Sequence, residues 1–377
     1  MHTPRPTTPT SSRSGFTITE LLVVVGIIVL LIGLLLPALG KVIEKSRATE
    51  TTSAMEEFAK ACEAFKQEFG YYPGLVPEEA LANPCDTVPL ITPIENAIFH
   101  LSGGAVREDD LPVIIDGVQY NDIANIKFGE VVDATGSVVD LIGEVLEFDW
   151  KDDNGQDQSL KIAFSGQAVG NGPIIAGRQY TPFYTPKGSQ FAPVQYSTVP
   201  PDTSPESAAE LDLLPTLKDA WGQPIMYVRR IRKQGPLVSY YPGGCDGDKV
   251  PGQFEFRSQG KVTQADQLGE FGFGQEDSIF NVAETTDDGA GLGSQTRTFA
   301  QILRNPALGA SEQPMTGAAR GDYVLISAGP DGIFFNKSDG PGSTSDPVTN
   351  IVNNSQAEYA TPTIVGEYDD LIVAGGG

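Results

Sequence analysis

Two segments with different hydrophobic patterns follow each other within the first 70 residues. Residues 21–36 form a run without a charged side chain, and Glu20 stands directly before it. Further on, the apolar positions recur at steps of three and four: Met55, Phe58, Cys62, Phe65 and Phe69. That spacing places these five side chains on one face of an α-helix. The pattern predicts a single helix over residues 16–69, ended by the turn at residues 70–73, with an amphipathic second half (40–69) that packs on a protein core.

The rest of the chain has the pattern of a β-rich domain. Short segments rich in Val, Ile and Phe are separated by turns with Gly and Pro. The predicted strands are Leu111–Ile115, Ile123–Phe128, Leu141–Trp150, Ser159–Phe164, Ile225–Arg232, Gln253–Phe256, Tyr323–Ser327 and Leu371–Val373. A short helix is predicted over Phe299–Leu303. The expected fold class is α+β, with one long helix packed on an antiparallel sheet and large loop insertions.

Three roles are open for the apolar run. A helix needs roughly 20 apolar residues to cross a bilayer, and residues 16–39 meet that length. The run could be a plain anchor, or the apolar part of a secretory signal that is cut near Ala38-Leu39-Gly40. The third role depends on Glu20. A carboxylate in hydrocarbon costs about 2.5–3.5 kcal/mol, so its presence there indicates a function.

The segment Gly15-Phe16-Thr17-Ile18-Thr19-Glu20 resembles the N-terminal signal of type IV prepilins and type II secretion pseudopilins. That family has Gly before the cut, Phe after it and Glu four residues later, and Pro37 lies where many members have a helix-kinking proline. The resemblance implies that residues 1–15 are a leader, that prepilin peptidase cuts between Gly15 and Phe16, and that the new amine is methylated. It also implies that Glu20 pairs with the Phe16 amine of a neighbouring subunit during assembly.

Three later segments resemble, in order, the major pseudopilin of type II secretion. They are Gly70-Tyr71-Tyr72-Pro73, the stretch from Asp219 to Tyr227, and the stretch from Ile326 to Gly332, followed by Asp369-Asp370. Residue 220 is Ala where that family usually has Pro. The resemblance implies a pilin-like head over residues 70–377. Residues 75–215 and 233–320 are far longer than the family's connections, so they are expected to be insertions.

The same resemblance implies a calcium site in the C-terminal loop of the head. The residues that would supply oxygens are Asp331, Asp339, Asp346, Asp369 and Asp370, with Ser343 between them. Calcium takes six to eight oxygen ligands from carboxylates, carbonyls and water. The alternative is an acidic loop that is simply solvated.

Charge and composition limit the other functions. The 377 residues include 49 acidic and 25 basic side chains, a net charge of −24, which argues against a nucleic-acid partner. The basic run at residues 229–233 is predicted to lie on an edge strand, where positive charge discourages unwanted strand pairing. Apart from His2 in the leader, the chain has one histidine, His100, and no catalytic motif, so no enzymatic activity is predicted.

The cysteines leave two alternatives open. Cys62, Cys85 and Cys245 are too few and too scattered for a metal site. In an oxidising compartment, Cys62 and Cys85 could form a disulfide between the helix and the following loop. Alternatively, Cys62 is a small apolar residue of the helix and the cysteines are free.

These features predict a structural subunit of the bacterial inner membrane. It would span the membrane once, with its head in the periplasm. Arg5 and Arg13 before the run favour a cytoplasmic N-terminus, whereas Lys41, Lys45 and Arg47 after it weaken that bias, so the orientation depends partly on the family resemblance. After processing it would join other copies, or related subunits, on an inner-membrane assembly platform, in a type II secretion pseudopilus or a type IV pilus-like filament. One alternative is a minor pilin whose insertions form an adhesive or substrate-binding tip surface. Another is an anchored envelope enzyme.

Overall fold

The computed structural model describes residues 17–82, 91–132, 137–152, 154–188, 191–193, 214–240, 249–259, 278, 294–305, 317–336 and 368–376. The chain divides into two compact units, Met1–Arg47 and Ala48–Gly377. The first helix, α1, contributes its residues 18–47 to the first unit and its residues 48–69 to the second.

The described residues form four α-helices and fourteen strands. The helices are α1 (Ile18–Phe69), α2 (Glu78–Leu81), α3 (Pro93–Ser102) and α4 (Ser294–Leu303). The first seven strands are β1 (Ala105–Arg107), β2 (Val113–Ile115), β3 (Val118–Tyr120), β4 (Lys127–Val132), β5 (Val138–Ile142), β6 (Glu144–Lys151) and β7 (Asp157–Phe164). The others are β8 (Ile174–Ile175), β9 (Arg178–Gln179), β10 (Phe191–Pro193), β11 (Pro215–Leu217), β12 (Met226–Arg229), β13 (Tyr323–Ser327) and β14 (Leu371–Gly375). Every strand pair is antiparallel, which confirms the α+β class.

The long helix packs on a three-stranded sheet with the order β12–β13–β14. The predicted stripe on α1 is buried in this core, except that Phe69 at its end is only partly buried. From the sheet, Tyr227, Tyr323 and Leu325 contact the stripe, while alternate residues such as Val228 and Val324 face the core beneath α4. Because side chains alternate across a strand, one sheet separates two helices, and Ala48–Gly377 contains an α1–sheet–α4 sandwich.

Helix α3 was not predicted, although the sequence carries its start signal. Thr92 is the N-cap: its Oγ1 accepts from the Glu95 N–H at 3.2 Å, and the Glu95 carboxylate accepts from the Thr92 N–H at 2.8 Å. Pro93 occupies the first helical position, where its missing N–H costs nothing. All ten residues of α3 are buried, and Ile98 packs against the same core as the α1 stripe. The stripe is therefore covered by a helix as well as by the sheet.

Residues 75–215, which are expected to be an insertion with four predicted strands, are largely folded in their described part. They contain α2, α3, the ten strands β1 to β10 and the first residue of β11. Two further cores lie here: one joins Phe99 of α3 to Phe148 and Phe164 of the β1–β7–β6 sheet, and the other surrounds Ile126 and Phe128. Apolar side chains in this segment are thus buried against each other, as in an independent layer of a domain.

Several strand boundaries differ from the predictions for local reasons. Residues 123–125 form a 3₁₀ turn, because the Asp122 side chain accepts from the Ala124 N–H at 3.1 Å. The predicted strand 141–150 is interrupted at Gly143, whose N–H donates to the Ile126 carbonyl at 3.1 Å. Residues 253–256 form no strand, and Phe254 makes only isolated bridges. The strands at 159–164, 225–232, 323–327 and 371–373 are confirmed, with shifted ends at three of them.

Candidate functional site

The first described residues of α1 place Glu20 in a local hydrogen-bond pair with Thr17. The Glu20 Oε2 accepts from the Thr17 N–H at 2.9 Å and from the Thr17 hydroxyl at 2.8 Å. In return, the Glu20 N–H donates to Thr17 Oγ1 at 3.3 Å. This is a capping box, which satisfies two backbone donors at the helix start. The predicted assembly residue therefore also caps its own helix in the isolated chain.

After Glu20, the apolar side chains that the structure describes in residues 21–33 and 39–43 are exposed on all sides of the helix. They include Leu22 at 65 % exposure, Leu30 at 64 % and Val42 at 63 %. Within the described ranges, no helix has both the length and the apolar character that a membrane crossing requires. Gly15, Phe16 and the side chain of Pro37 lie outside the described residues. The cleavage site and the membrane-spanning role of residues 16–39 remain predictions.

The second and third pseudopilin-like segments meet in the structure. The Asp219 carboxylate accepts from the Trp221 and Gln223 N–H groups, both at 2.9 Å, and so closes the turn before β12. Its other oxygen accepts from the Ser327 hydroxyl at 2.7 Å. Gly332 lies against the Gln223 side chain, where an added Cβ would approach the amide nitrogen to 3.0 Å. The two segments consequently form one structural unit at the end of the β12–β13–β14 sheet.

Three of the predicted calcium ligands lie at this same end of the sheet. The Asp331 carboxylate accepts from the Ile333 N–H at 2.9 Å and from the Asn336 side chain at 2.6 Å. Both oxygens of the buried Asp370 carboxylate accept from the Phe335 N–H, at 3.1 and 2.9 Å. Asp369 precedes Asp370 directly. The remaining predicted ligands lie outside the described residues: Asp339, Ser343 and Asp346.

The electrostatics of Asp370 suit a hard divalent cation. Burial raises the pKa of the Asp370 carboxyl well above its ordinary value, and the charges of Asp369 and Asp331 raise it further. The hydrogen bond from the Phe335 N–H lowers this pKa, by less than burial raises it but by more than either neighbouring charge does. Among the described residues, however, no group of three ligating side chains converges at a metal-binding geometry. The carboxylates fit calcium chemically, and the site itself remains a proposal.

We predict that calcium stabilises the chain and that Asp370→Asn removes most of this effect. A raised folded-state pKa means that, without calcium, stability falls as the pH rises above the ordinary Asp pKa of about 3.9. Calcium needs the ionised carboxylate, so its stabilising effect should grow with pH and reach about 2.7 kcal/mol at 100 times its Kd. Thermal unfolding in calcium and in chelator, at two pH values, measures this.

The matched control is Asp149→Asn, which removes an exposed carboxylate on β6. It should leave the calcium shift intact. Equal calcium shifts in the native chain and in the Asp370→Asn variant would contradict the assignment.

Of the two cysteine alternatives, the structure has Cys62 as a free thiol in the core. The thiol is fully buried between α1 and the sheet, and this burial raises its pKa far above the ordinary value. Cys85 lies outside the described residues, so the predicted Cys62–Cys85 disulfide has no support here.

Of the basic run, only Arg229 lies on the edge strand β12, and residues 230–233 follow the end of that strand. Arg229, on β12, forms an ion pair with buried Glu78 at 3.3 Å and donates to the Tyr72 and Val76 carbonyls at 3.1 and 3.3 Å. Gly74 leaves the space that this guanidinium occupies. The prediction that this positive charge discourages strand pairing therefore did not include the ion pair and the hydrogen bonds that Arg229 forms within the chain.

Two further arginines of the run also form ion pairs within the chain. Arg230 pairs with Asp322 at 3.2 Å, and Arg232 pairs with Glu79 at 3.0 Å. The Arg232–Glu79 pair attaches α2 to the chain after β12, and the Arg230–Asp322 pair joins that chain to the start of β13. The partner carboxylates lie far away in sequence, so the run itself gives no signal of them.

His100 is a structural acceptor in the same region. It is buried in α3, and its Nδ1 accepts from the Gly74 N–H at 2.9 Å. Burial, and secondarily the charge of Arg229, lowers the pKa of His100 to about 3. The imidazole is therefore neutral at physiological pH, with one nitrogen already engaged in holding the loop after α1.

Comparisons with known proteins give no relative from which a role could be transferred. No family model, curated protein or solved structure matches this chain. Functional inference depends on the chain's own residues and contacts.

Proposed function

We propose that this chain is a pilin-like structural subunit that assembles through α1 into a type II secretion pseudopilus or a type IV pilus-like filament. Prepilin peptidase would cut between Gly15 and Phe16 and leave a methylated terminal amine. Before assembly, residues 16–39 would hold the subunit in the inner membrane, with the head in the periplasm. The partners would be other copies or related subunits, and the assembly platform.

One observation carries this proposal: a single continuous helix has two different environments along its length. Within residues 18–33 and 39–43, where the structure describes its side chains, its apolar groups are exposed on every side, whereas from residue 51 onward its stripe is buried in the head core. A helix that is apolar all round requires a cover of lipid or of other helices. A filament core made of the same helix from many subunits supplies that cover after the subunit leaves the membrane.

Glu20 fits this role because its carboxylate is charged and lies at the start of the exposed apolar segment. In the isolated chain it accepts from Thr17. A carboxylate has about four acceptor positions, so it can keep this capping bond while it binds a neighbour's terminal ammonium. Pairing of one helix start with the next would fix the axial register of the subunits.

Mass spectrometry of the N-terminal peptide of the mature chain tests the proposal. We expect the chain purified from its native cell to begin at a methylated Phe16, and a Gly15→Leu variant to retain its leader. A chain that begins at Met1 would indicate a plain anchor. A chain that begins at Lys41 would indicate a secretory signal, and either result would refute the proposal.

A minor, tip-located subunit is the second candidate. The observation that favours it is the folded body within residues 75–215, which has two cores of its own and is more than a spacer. The copy number of this chain relative to other pilin-like chains in isolated filaments separates the candidates. A filament-forming subunit is abundant, whereas a tip subunit is present at about one copy per filament.

A further inference from the structure

Exposed apolar side chains of the head concentrate in one segment. In the described part of residues 48–377, the large apolar side chains that are exposed belong, apart from Tyr71, to residues 114–145. They are Ile114, Val118, Val138, Val139, Ile142 and Val145. The β2–β3 turn lies beside β4, since Asp116 is the nearest side chain to Gly129. Apolar groups clustered on a folded surface in this way mark an interaction site.

The β4–β5 ribbon gives this surface an open edge. In the described part of the chain, β5 pairs with β4 and with no other strand. Its alternate residues Val138, Asp140 and Ile142 share one face, and all three are exposed. An exposed edge strand of this kind can accept an added strand, with backbone hydrogen bonds for affinity and alternate side chains for specificity.

The charges around this edge select the partner. Residues 114–149 contain eight acidic side chains and one basic one, Lys127, which is paired with Asp140. The β4–β5 register places Glu130 directly opposite Asp140. Like charges opposite each other destabilise a strand pair, and one lysine does not neutralise two carboxylates. A second copy of this acidic chain, or an anionic lipid surface, would add to the repulsion.

We propose that β5 binds an extended, basic and apolar segment of another protein, which adds as a strand along its free edge. The added strand would place valine- or isoleucine-like side chains beside Val138 and Ile142, and a lysine or arginine beside the Glu130–Asp140 pair. This proposal does not depend on cleavage at Gly15 or on filament assembly, and either can fail without the other.

Fluorescence anisotropy of labelled seven-residue peptides, added to the purified full chain, tests the proposal. The first peptide has threonine at positions 1, 3, 5 and 7, valine at positions 2 and 6, and lysine at position 4. The second peptide has glutamate in place of this lysine. We expect the lysine peptide to bind at least tenfold more tightly than the glutamate peptide, and its binding to weaken with added salt. No measurable binding of the lysine peptide, or equal binding of both, would overturn the proposal.

Two variants locate the site. Glu130→Lys should abolish or reverse the preference for the lysine peptide, and Val138→Ser should weaken binding of that peptide at least fivefold. The control is Glu50→Lys, which makes the same charge change at an exposed position of α1. It should change neither the preference for the lysine peptide nor the affinity for it. Circular dichroism would establish that the variants remain folded. Sedimentation could show that the chain self-associates and that Val138→Ser removes this self-association. In that case the strand bound at β5 comes from a second copy, and the proposal of a basic partner is wrong.

Discussion

Glu20→Ala is expected to abolish filament assembly while leaving the chain in the membrane fraction. In the proposed filament, removal of the carboxylate would leave the terminal ammonium of the neighbouring subunit unpaired among apolar side chains. An ion without its partner in such surroundings costs several kcal/mol, enough to reduce assembly by more than a hundredfold. Electron microscopy of sheared filaments, together with immunoblots of membrane and filament fractions, measures the effect.

The capping box requires a specific control, because Glu20→Ala also removes an acceptor for the Thr17 N–H. Thr17→Ala removes the other half of the box and keeps the charge, at a cost of about 1 kcal/mol in helix stability. We expect Thr17→Ala to assemble nearly normally, and Glu20→Gln, which keeps an acceptor but no charge, to fail. Equal loss of filaments in Thr17→Ala and Glu20→Gln would show that Glu20 acts through helix capping alone.

Phe58→Ala is expected to destabilise the head by about 3–5 kcal/mol, as is typical of large-to-small changes in a packed core. Phe58 is fully buried at the centre of the α1 stripe, with ring centroids 5.3 Å from Tyr184 and 5.6 Å from Tyr227. Those rings come from two different parts of the chain, so the cavity cannot close by moving one element. Chemical denaturation of the purified full chain, followed by near-ultraviolet circular dichroism, measures the loss.

The matched surface change for Phe58→Ala is Glu56→Ala. Glu56 lies on the same helix, and its ion pair with Lys60 is exposed at 3.9 Å, so its loss should change stability by less than about 0.5 kcal/mol. If Phe58→Ala shifts the denaturation midpoint no more than this control does, the assignment of the core to the stripe is wrong.

The parts of the fold that depend on local periodicity could be predicted from the sequence. The three-and-four spacing of the α1 stripe determines which face is buried, and the Val- and Ile-rich runs determine β12, β13 and β14. Helix α3 was missed, although Thr92-Pro93-Ile94-Glu95 has the form of a capping box with proline at the first helical position. Its apolar residues Ile94, Ala97, Ile98 and Leu101 also follow the i, i+3, i+4, i+7 spacing of a helix, so the sequence carries both a cap and a periodic signal for α3.

The residues of the candidate site also divide into those whose role the sequence indicates and those whose role it does not. Glu20 stands out because one charge precedes a long apolar run, and the Thr17–Glu20 spacing is itself a capping signal that the sequence offered. The internal role of Arg229 could not be predicted, because its partner Glu78 is separated from it by about two fifths of the chain. Ion pairs between distant residues leave no periodic pattern, and only the folded chain brings them together.

The position of α3 has a consequence for how this head can be altered. Its Ile98 side chain lies in the core beneath α1, while the neighbouring Phe99 lies in the core of the β1–β7–β6 sheet. Excision of residues 75–215 would therefore expose one flank of the long helix as well as remove a lobe. A shortened chain would need another element in place of α3 to cover that flank, so these residues cannot be removed without exposing part of the long helix.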